Sequence, residues 1–210
     1  MKTFLAILSA LLLAACKTPS RENTKTELQN PLIPGYFADP SIVEHEGTFY
    51  MYVTADPWGA DFLSCWTSDD FRNLTFNQLN WPTKEACTSP LSTDSKVWAP
   101  SVVKRGDMFY MYISVGSEVW CGVAEHPLGP WKNMLGDKPM LEFDTTRYYH
   151  VIDAEGFIDD DGKAYLYWGS GWNWINGHCY SAELNEEMSG FKSEIVEVTT
   201  TPYFEGPLTV

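Results

Sequence analysis

Basic residues are scarce in this 210-residue chain, and several other features are missing altogether. Lys and Arg number 14 against 28 Asp and Glu, which gives a formal net charge of −14, and a surface of that sign repels nucleic-acid phosphates. No CxxC motif or His/Cys cluster is present to form a zinc site. No long stretch keeps the 3.6-residue period of a helix. These absences argue against a general nucleic-acid-binding protein, a zinc protein and a helical domain.

Aromatic residues, in contrast, are abundant. The chain contains 9 Trp, 11 Tyr and 11 Phe, which together make up 15% of its residues. Some of them belong to a core, because aromatic side chains bury a large area. In an acidic and polar chain, the surplus suits a ligand with flat apolar faces and a polar rim, and sugars have these properties.

One long apolar run lies near the start of the chain, at residues 4–13 after Lys2. It is shorter than the ~20 residues that a membrane span needs, and it fits the apolar region of a secretory signal. Two Ala and then Cys16 follow, which resembles a bacterial lipoprotein signal with Cys16 as the lipidation site; an ordinary signal peptide is the alternative. The pattern predicts an exported lipoprotein of the cell envelope (outer membrane, facing the periplasm or the outside) that contacts the membrane through its lipid only. The predicted signal peptide, polar tether and domain cover residues 1–16, 17–30 and 31–210.

Four further cysteines lie in the predicted domain, and an exported protein can join them in disulfides. Four cysteines allow three pairings, and the sequence does not choose among them. Unpaired buried thiols are an equally open alternative. The four are Cys65, Cys87, Cys121 and Cys179.

The domain contains an internal repeat of short strands. Residues 38–52 recur at 98–112 without a gap, and a looser third copy covers 152–168. Each copy consists of an apolar strand, a charged turn with Gly and an aromatic strand, which predicts a β-hairpin. Repeats of roughly fifty to sixty residues with three or four strands are typical of propeller blades, and a β-sandwich is the alternative. The acidic turn of the third copy, Asp159 to Gly162, is expected to be a solvated turn, because a calcium loop needs alternating acidic positions and a following helix.

The first residue of the inner strand differs between the copies, and in a propeller these equivalent positions face one another around the axis. The first copy has Asp39 there, the second Ala99 and the third Asp153. A fourth inner strand, predicted at 204–208, places Glu205 at the same position. The repeat therefore predicts three carboxyl groups in one cavity. Carboxyl groups with apolar neighbours are costly unless they are paired or used.

Four of these motifs resemble glycoside hydrolase family 43. The resemblance rests on Asp39 in FADPS, Trp98 in WAP, Asp153 with the following GFIDDDGK, and Glu205 in EGP, in order over residues 30–210. It implies an all-β, five-bladed propeller that releases α-L-arabinofuranosyl or β-D-xylosyl units from plant polysaccharides or oligosaccharides. About three blades and one strand are then present, as an incomplete N-terminal part of the domain. No cofactor is implied with certainty, and a calcium ion in the channel of the complete propeller is compatible with the family.

The resemblance also implies an inverting acid/base mechanism. Asp39 is then the general base and Glu205 the general acid. Asp153 is the third carboxylate, which orients the acid and raises its pKa, because a nearby like charge disfavours ionisation.

The other candidate residues surround this presumed site. Trp98 is expected in the cavity wall. Trp58 and Trp172 are expected at the channel mouth, where they either stack on sugar rings or cover the ends of the blades. His150 is expected at the edge of the pocket rather than as a catalytic base.

Two other functions fit the same pattern. One is a catalytically silent, lipid-anchored propeller that binds oligosaccharides through its aromatic residues. The other is an enzyme of the same fold that acts on fructosides or other furanosides. A serine nucleophile is not expected, because Ser41 and Ser101 repeat between copies and are therefore assigned to structural hydrogen bonds.

Overall fold

The structure is a computed structural model, and it describes residues 27–55, 57–92, 96–143, 146, 149–171 and 175–209. The predicted signal peptide with Cys16, most of the tether, and Trp172 lie outside these ranges. The described residues form strands, turns and loops. Among them there is no helix that is long and apolar enough to cross a membrane.

The described part of the chain contains fourteen strands. In chain order they are β1 (Phe37–His45), β2 (Thr48–Ala55), β3 (Phe62–Ser68), β4 (Thr75–Thr83), β5 (Val97–Arg105), β6 (Met108–Val115), β7 (Glu118–Ala124), β8 (Lys132–Asn133), β9 (Tyr149–His150), β10 (Glu155–Ile158), β11 (Ala164–Trp168), β12 (Ser170–Gly171), β13 (Tyr180–Glu183) and β14 (Val196–Glu197). Sheet 1 is β1-β2-β3-β4, sheet 2 is β5-β6-β7-β8 and sheet 3 is β10-β11-β13-β14, while β9 pairs with β12. All of these pairings are antiparallel.

The repeated segments form the first hairpin of each sheet, as the repeat predicts. Strand β5 packs against both β1 and β10, so the first strands of the three sheets lie side by side. Blades follow one another in this way around a propeller axis, whereas the two sheets of a sandwich stack face to face. The three sheets are therefore successive blades.

The fourth inner strand, predicted at 204–208, does not form among the described residues. This segment runs beside β12 instead, where the Gly171 N–H donates to the Phe204 carbonyl oxygen at 2.7 Å. A strand requires a ladder of such bonds along its length, and one bond does not supply it. The prediction of a strand is therefore wrong here, although the segment still reaches the cavity described below.

Buried tyrosines connect the sheets and account for part of the aromatic surplus. Tyr52 and Tyr112 occupy the same position in sheets 1 and 2, and both are fully buried. The Tyr52 hydroxyl donates to the Pro127 carbonyl oxygen at 2.8 Å, and the Tyr112 hydroxyl donates to the Met188 carbonyl oxygen at 2.9 Å. Each ring is buried in apolar surroundings, while its hydroxyl reaches a backbone acceptor in a loop between strands of the next sheet.

The four cysteines of the domain are buried and unpaired. This outcome agrees with the second of the two alternatives left open by the sequence. Burial raises the pKa of the thiols of Cys65, Cys87 and Cys121 to about 12. These thiols are therefore protonated packing groups, since the thiolate is the reactive form.

The acidic turn of the third repeat joins β10 to β11, as predicted. The Gly162 N–H donates to the Asp159 carbonyl oxygen at 2.8 Å, and Lys163 Nζ contacts Asp161 Oδ2 at 2.6 Å. The turn is exposed, so this ion pair contributes little to stability. Within the described ranges, no group of three or more His, Cys, Asp or Glu side chains is placed to hold a metal ion.

Hydroxyl groups at a repeated position join each sheet to the next. Thr54 Oγ1 in β2 accepts the Ala99 N–H of sheet 2 at 2.8 Å. Ser114 Oγ, sixty residues later in β6, accepts the Asp153 N–H in front of sheet 3 at 3.0 Å. Both hydroxyl-bearing residues are buried, so each bond satisfies a backbone donor that water does not reach.

Replacing Thr54 by Val should destabilise the protein by about 1–3 kcal/mol, because the buried Ala99 N–H loses its acceptor while the side-chain shape is kept. The free energy of unfolding, from denaturant titration, measures the effect. Thr75→Val is the matched control, since Thr75 is exposed on β4 and the change there should stay within about 0.5 kcal/mol. Equal losses in the two variants would contradict the assigned role of this bond.

Candidate active site

The inner strands of the three sheets begin with an unusual backbone conformation. Asp39, Ala99 and Asp153 have φ angles of 49°, 46° and 54°, in the left-handed region. Non-glycine residues adopt this region rarely and at a cost, so three occurrences at one repeated position indicate a constraint of the fold. The register with the neighbouring strand also shifts at this point in sheets 1 and 2. The bulge and the left-handed residue together turn the side chain away from the normal alternation of the strand.

The redirected side chains meet at one cavity of about 370 Å³. Its lining includes Asp39, Asp153 and Glu205, as the repeat and the family resemblance predict. The remaining lining residues are Pro40, Ala99, Pro100, Ala154, Glu155, Gly206, Pro207 and Leu208. The walls are thus made from the starts of three inner strands and from the segment after sheet 3.

Asp39 is held by the hydroxyl that joins sheets 1 and 2. Thr54 Oγ1 donates to Asp39 Oδ2 at 2.7 Å while it accepts the Ala99 N–H. Because the hydroxyl has one proton and two lone pairs, it can fill both roles at once. Thr54 thereby fixes the Asp39 carboxyl group at the rim of the cavity, where the residue itself is exposed.

Asp153 is a strongly perturbed carboxyl group of the cavity. Its pKa is raised from 3.8 to about 7, first by burial and then by the charges of Asp39 and Glu205, while a hydrogen bond from the Gly206 N–H opposes the shift. Water is a better solvent for a carboxylate than this partly apolar cavity, and two neighbouring negative charges add to the penalty. One proton is therefore retained at Asp153 close to neutral pH.

Glu205 reaches the same cavity, but not from the position that the repeat assigned to it. The left-handed residue before proline in this segment is Gly206, with a φ of 70°, whereas Glu205 stands one position earlier. The predicted equivalence with Asp39 and Asp153 is therefore wrong by one residue. Glu205 is half-buried, and its charge still acts on Asp153, so the predicted convergence of three carboxyl groups holds.

The tryptophans expected around the site do not line this cavity in the described structure. The Trp98 indole N–H donates to the Gly116 carbonyl oxygen at 3.1 Å, and Trp58 is 65% exposed in the loop after β2. Trp172 lies outside the described residues. Substrate contacts by these three side chains stay predictions. His150 Nδ1 contacts Ser117 Oγ at 2.7 Å and is also absent from the cavity lining.

Two residues of the site, Thr54 and Glu155, are not among those predicted from the sequence. Thr54 contacts Asp39 directly, and Glu155 adds a fourth carboxyl group to the lining. The repeat contained a signal for both. Thr54 aligns with Ser114, and Glu155 stands where the first two copies have serine.

Comparison with known proteins gives one family. The model of the family "Glycosyl hydrolases family 43" matches residues 28–210. A Beta-D-galactofuranosidase of Aspergillus niger is 33% identical to this chain, with 98% of the chain and 63% of the relative aligned. An arabinoxylan arabinofuranohydrolase of Bacillus subtilis is 27% identical, over 68% of the chain and 33% of the relative.

Solved structures agree with these relatives. An alpha-L-arabinofuranosidase from Clostridium thermocellum superposes with a TM-score of 0.65 at 25% identity, over 80% of this chain and 58% of that chain. The structural matches confirm the predicted five-bladed β-propeller class, of which the described residues form three sheets. The chain spans between about a third and two thirds of the length of these relatives.

The raised pKa of Asp153 predicts a pH-dependent effect of Asp153→Asn on stability. Between about pH 4 and pH 7 the folded protein holds a proton that the unfolded chain has released, so this contribution to stability is lost as the pH rises. Asn has no such proton. The free energy of unfolding of the variant minus that of the wild type should therefore increase by roughly 2–4 kcal/mol from pH 4.5 to pH 8. Urea unfolding of both proteins at the two pH values measures the gain. A stability difference that is the same at both pH values would contradict the assignment.

Proposed function

We propose that the full-length protein hydrolyses a glycosidic bond, because this chain belongs to glycosyl hydrolase family 43 and carries three carboxyl groups in one cavity. The observation that carries the proposal is the meeting of Asp39, Asp153 and Glu205, with one proton retained near neutral pH. Glycosidases need a carboxylate and a carboxylic acid that flank the bond to be cleaved.

In the proposed mechanism, Asp39 is the general base and Glu205 the general acid. Asp39 removes a proton from a water molecule that attacks the anomeric carbon, and Glu205 gives a proton to the leaving oxygen. The attack comes from the face opposite the leaving group, so the configuration is inverted. An inverting pair stands roughly 6.5–9.5 Å apart, which leaves room for the water between the carboxyl groups and the sugar.

Asp153 and Thr54 support the two catalytic groups. Burial and the charges of Asp39 and Glu205 raise the pKa of Asp153 to about 7, so Asp153 holds a proton next to Glu205 in weakly acidic solution. A proton held in the cavity favours the protonated form that Glu205 needs to act as general acid. On the other side, the hydrogen bond from Thr54 holds the base in one orientation.

The proposed substrate is a terminal arabinofuranosyl or xylosyl unit of a plant polysaccharide or oligosaccharide. The names of the arabinofuranohydrolase and arabinofuranosidase relatives support this choice. A galactofuranosyl unit is the second candidate, because a relative at 33% identity carries that activity in its name. Aryl α-L-arabinofuranoside, β-D-xyloside and β-D-galactofuranoside, tested side by side at equal concentration, distinguish the three.

Asp39→Asn should lower kcat by at least about a hundredfold, since removal of a general base costs roughly 10²–10⁴ in rate. The measurement is release of the aryl group by the full-length protein, with NMR of the first-formed sugar to record its anomeric configuration. Asp160→Asn, in the exposed turn between β10 and β11, is the matched control and should leave the rate unchanged.

Three results are decisive for this proposal. Full activity of Asp39→Asn, or a product with retained configuration, would refute the assigned mechanism. Tight binding of arabino- or xylo-oligosaccharides without any hydrolysis would instead establish the silent carbohydrate-binding propeller.

We further propose that the protein is exported and lipid-anchored, which rests on the apolar run and Cys16 alone. Cys16→Ser should abolish incorporation of a radiolabelled fatty acid into the protein in a bacterial host. Undiminished labelling of this variant would exclude Cys16 as the lipidation site.

A further inference from the structure

Glu155 occupies a position at which the other two sheets have a serine. In the three inner hairpins, Ser41 pairs with Tyr52, Ser101 pairs with Tyr112, and Glu155 pairs with Tyr167. The register thus places Glu155 at the position of the two serines. A carboxyl group has replaced a hydroxyl at one of three equivalent places.

The two serines have a structural role for which a hydroxyl group is sufficient. Ser41 Oγ accepts the Val102 N–H of the next sheet at 2.9 Å, and Ser101 Oγ accepts the Gly156 N–H at 3.1 Å. These bonds confirm the structural role expected for both serines. For Glu155 the corresponding donor is the N–H of Thr209, two residues after Pro207 in the segment that follows sheet 3. Among the described residues, no hydrogen bond joins Thr209 to Glu155. Glu155 therefore does not repeat the role of the serines.

Glu155 lines the cavity, as does Asp153 two residues earlier. Glu155 Oε2 accepts the Ser101 hydroxyl at 2.9 Å, and this is the hydrogen bond that the carboxyl group makes within the described residues. The group is half-buried, and burial raises its pKa. A carboxyl group in such a place costs free energy unless a partner compensates for the lost water.

We propose that Glu155 is a substrate-binding residue whose Oε1 accepts a hydrogen bond from a hydroxyl group of the sugar in the cavity. Ser101 holds Oε2 and so fixes the direction in which the second oxygen points. Sugar hydroxyls are donors, and a hydrogen bond to an ionised carboxylate is stronger than one to a neutral acceptor. The inference rests on the proposed function, since it assumes that this cavity takes a sugar.

This role makes Glu155 a determinant of specificity. A site built to accept a hydrogen bond from a sugar hydroxyl discriminates strongly against an analogue that lacks the hydroxyl, because the buried acceptor is then left unpaired. Asp39 and Glu205, in contrast, act on the bond that is cleaved. Glu155 should therefore affect the binding of substrate more than the rate of the chemical step.

The test measures binding apart from catalysis, in an Asp39→Asn background that holds the sugar without cleaving it. Isothermal titration with the preferred oligosaccharide compares this protein with the same protein carrying Glu155→Ser, which restores the serine of the other repeats. Kd should rise about 10- to 100-fold, the loss expected for one hydrogen bond to a charged group. Glu155→Gln keeps an acceptor and should show a smaller rise. Glu125→Ser, at an exposed position after β7, is the matched control and should leave Kd unchanged.

A second titration series identifies the bond itself. Monodeoxy forms of the sugar, each lacking one hydroxyl, should include one that binds weakly when Glu155 is present but suffers no further loss with Glu155→Ser. An unchanged Kd for Glu155→Ser in a folded protein would overturn the inference while the proposed function stands. A rise in Kd that is equal for every deoxy sugar would also overturn it, in favour of a purely structural role. If the protein with Glu155 and Asp39 intact neither binds nor cleaves any glycoside, the proposed function fails and the inference with it.

Discussion

A single hydroxyl group links the architecture of this protein to its chemistry. Thr54 accepts a backbone N–H from sheet 2 and donates to the Asp39 carboxyl group of sheet 1, with both bonds shorter than 2.9 Å. The same atom thus holds two sheets together and orients the residue assigned as general base. Because Thr54 is bonded to both groups, the orientation of Asp39 is coupled to the packing of the first two blades.

The left-handed residues at the start of the inner strands follow from the same arrangement. Sheets that surround an axis must bring their first strands close together, and a bulge near the start of β1 and of β5 turns one side chain towards the axis. The position carries backbone strain whether its side chain reacts or not, as Ala99 shows. Two of the three sheets place a carboxyl group at this left-handed position, so the strained backbone conformation also orients residues of the site.

Electrostatics inside the cavity gives its carboxyl groups different roles. Asp153 is largely removed from water and faces two other acidic groups, whereas Asp39 is exposed and hydrogen-bonded to Thr54. Crowding of negative charge is unfavourable for folding but keeps a proton in the cavity, which an acid catalyst needs. Glu155 adds a further carboxyl group, and a bound sugar would supply the donor that compensates for its burial.

Much of this could be predicted from the sequence, because a repeat is visible in one dimension. The offset of sixty residues between the first two copies indicates hairpins in successive blades, and the residues that differ between copies include Asp39 and Asp153. The prediction of Glu205 is less secure, because its alignment with the other copies rests on neighbouring residues alone. The backbone places Gly206 at the equivalent position.

Alternation and repetition are local properties of a chain, so the type of strand, the order of the hairpins and the three acidic residues can be identified from the residues alone. The packing of the chain, in contrast, leaves the four cysteines unpaired, directs the Trp98 indole to the Gly116 carbonyl, and brings Thr54 and Glu155 to the site. The Trp98–Gly116 and Thr54–Asp39 bonds lie within one sheet, whereas the Thr54–Ala99 and Ser101–Glu155 bonds join neighbouring sheets. The latter two bonds join residues forty to sixty positions apart, and their geometry arises when the blades pack around the axis.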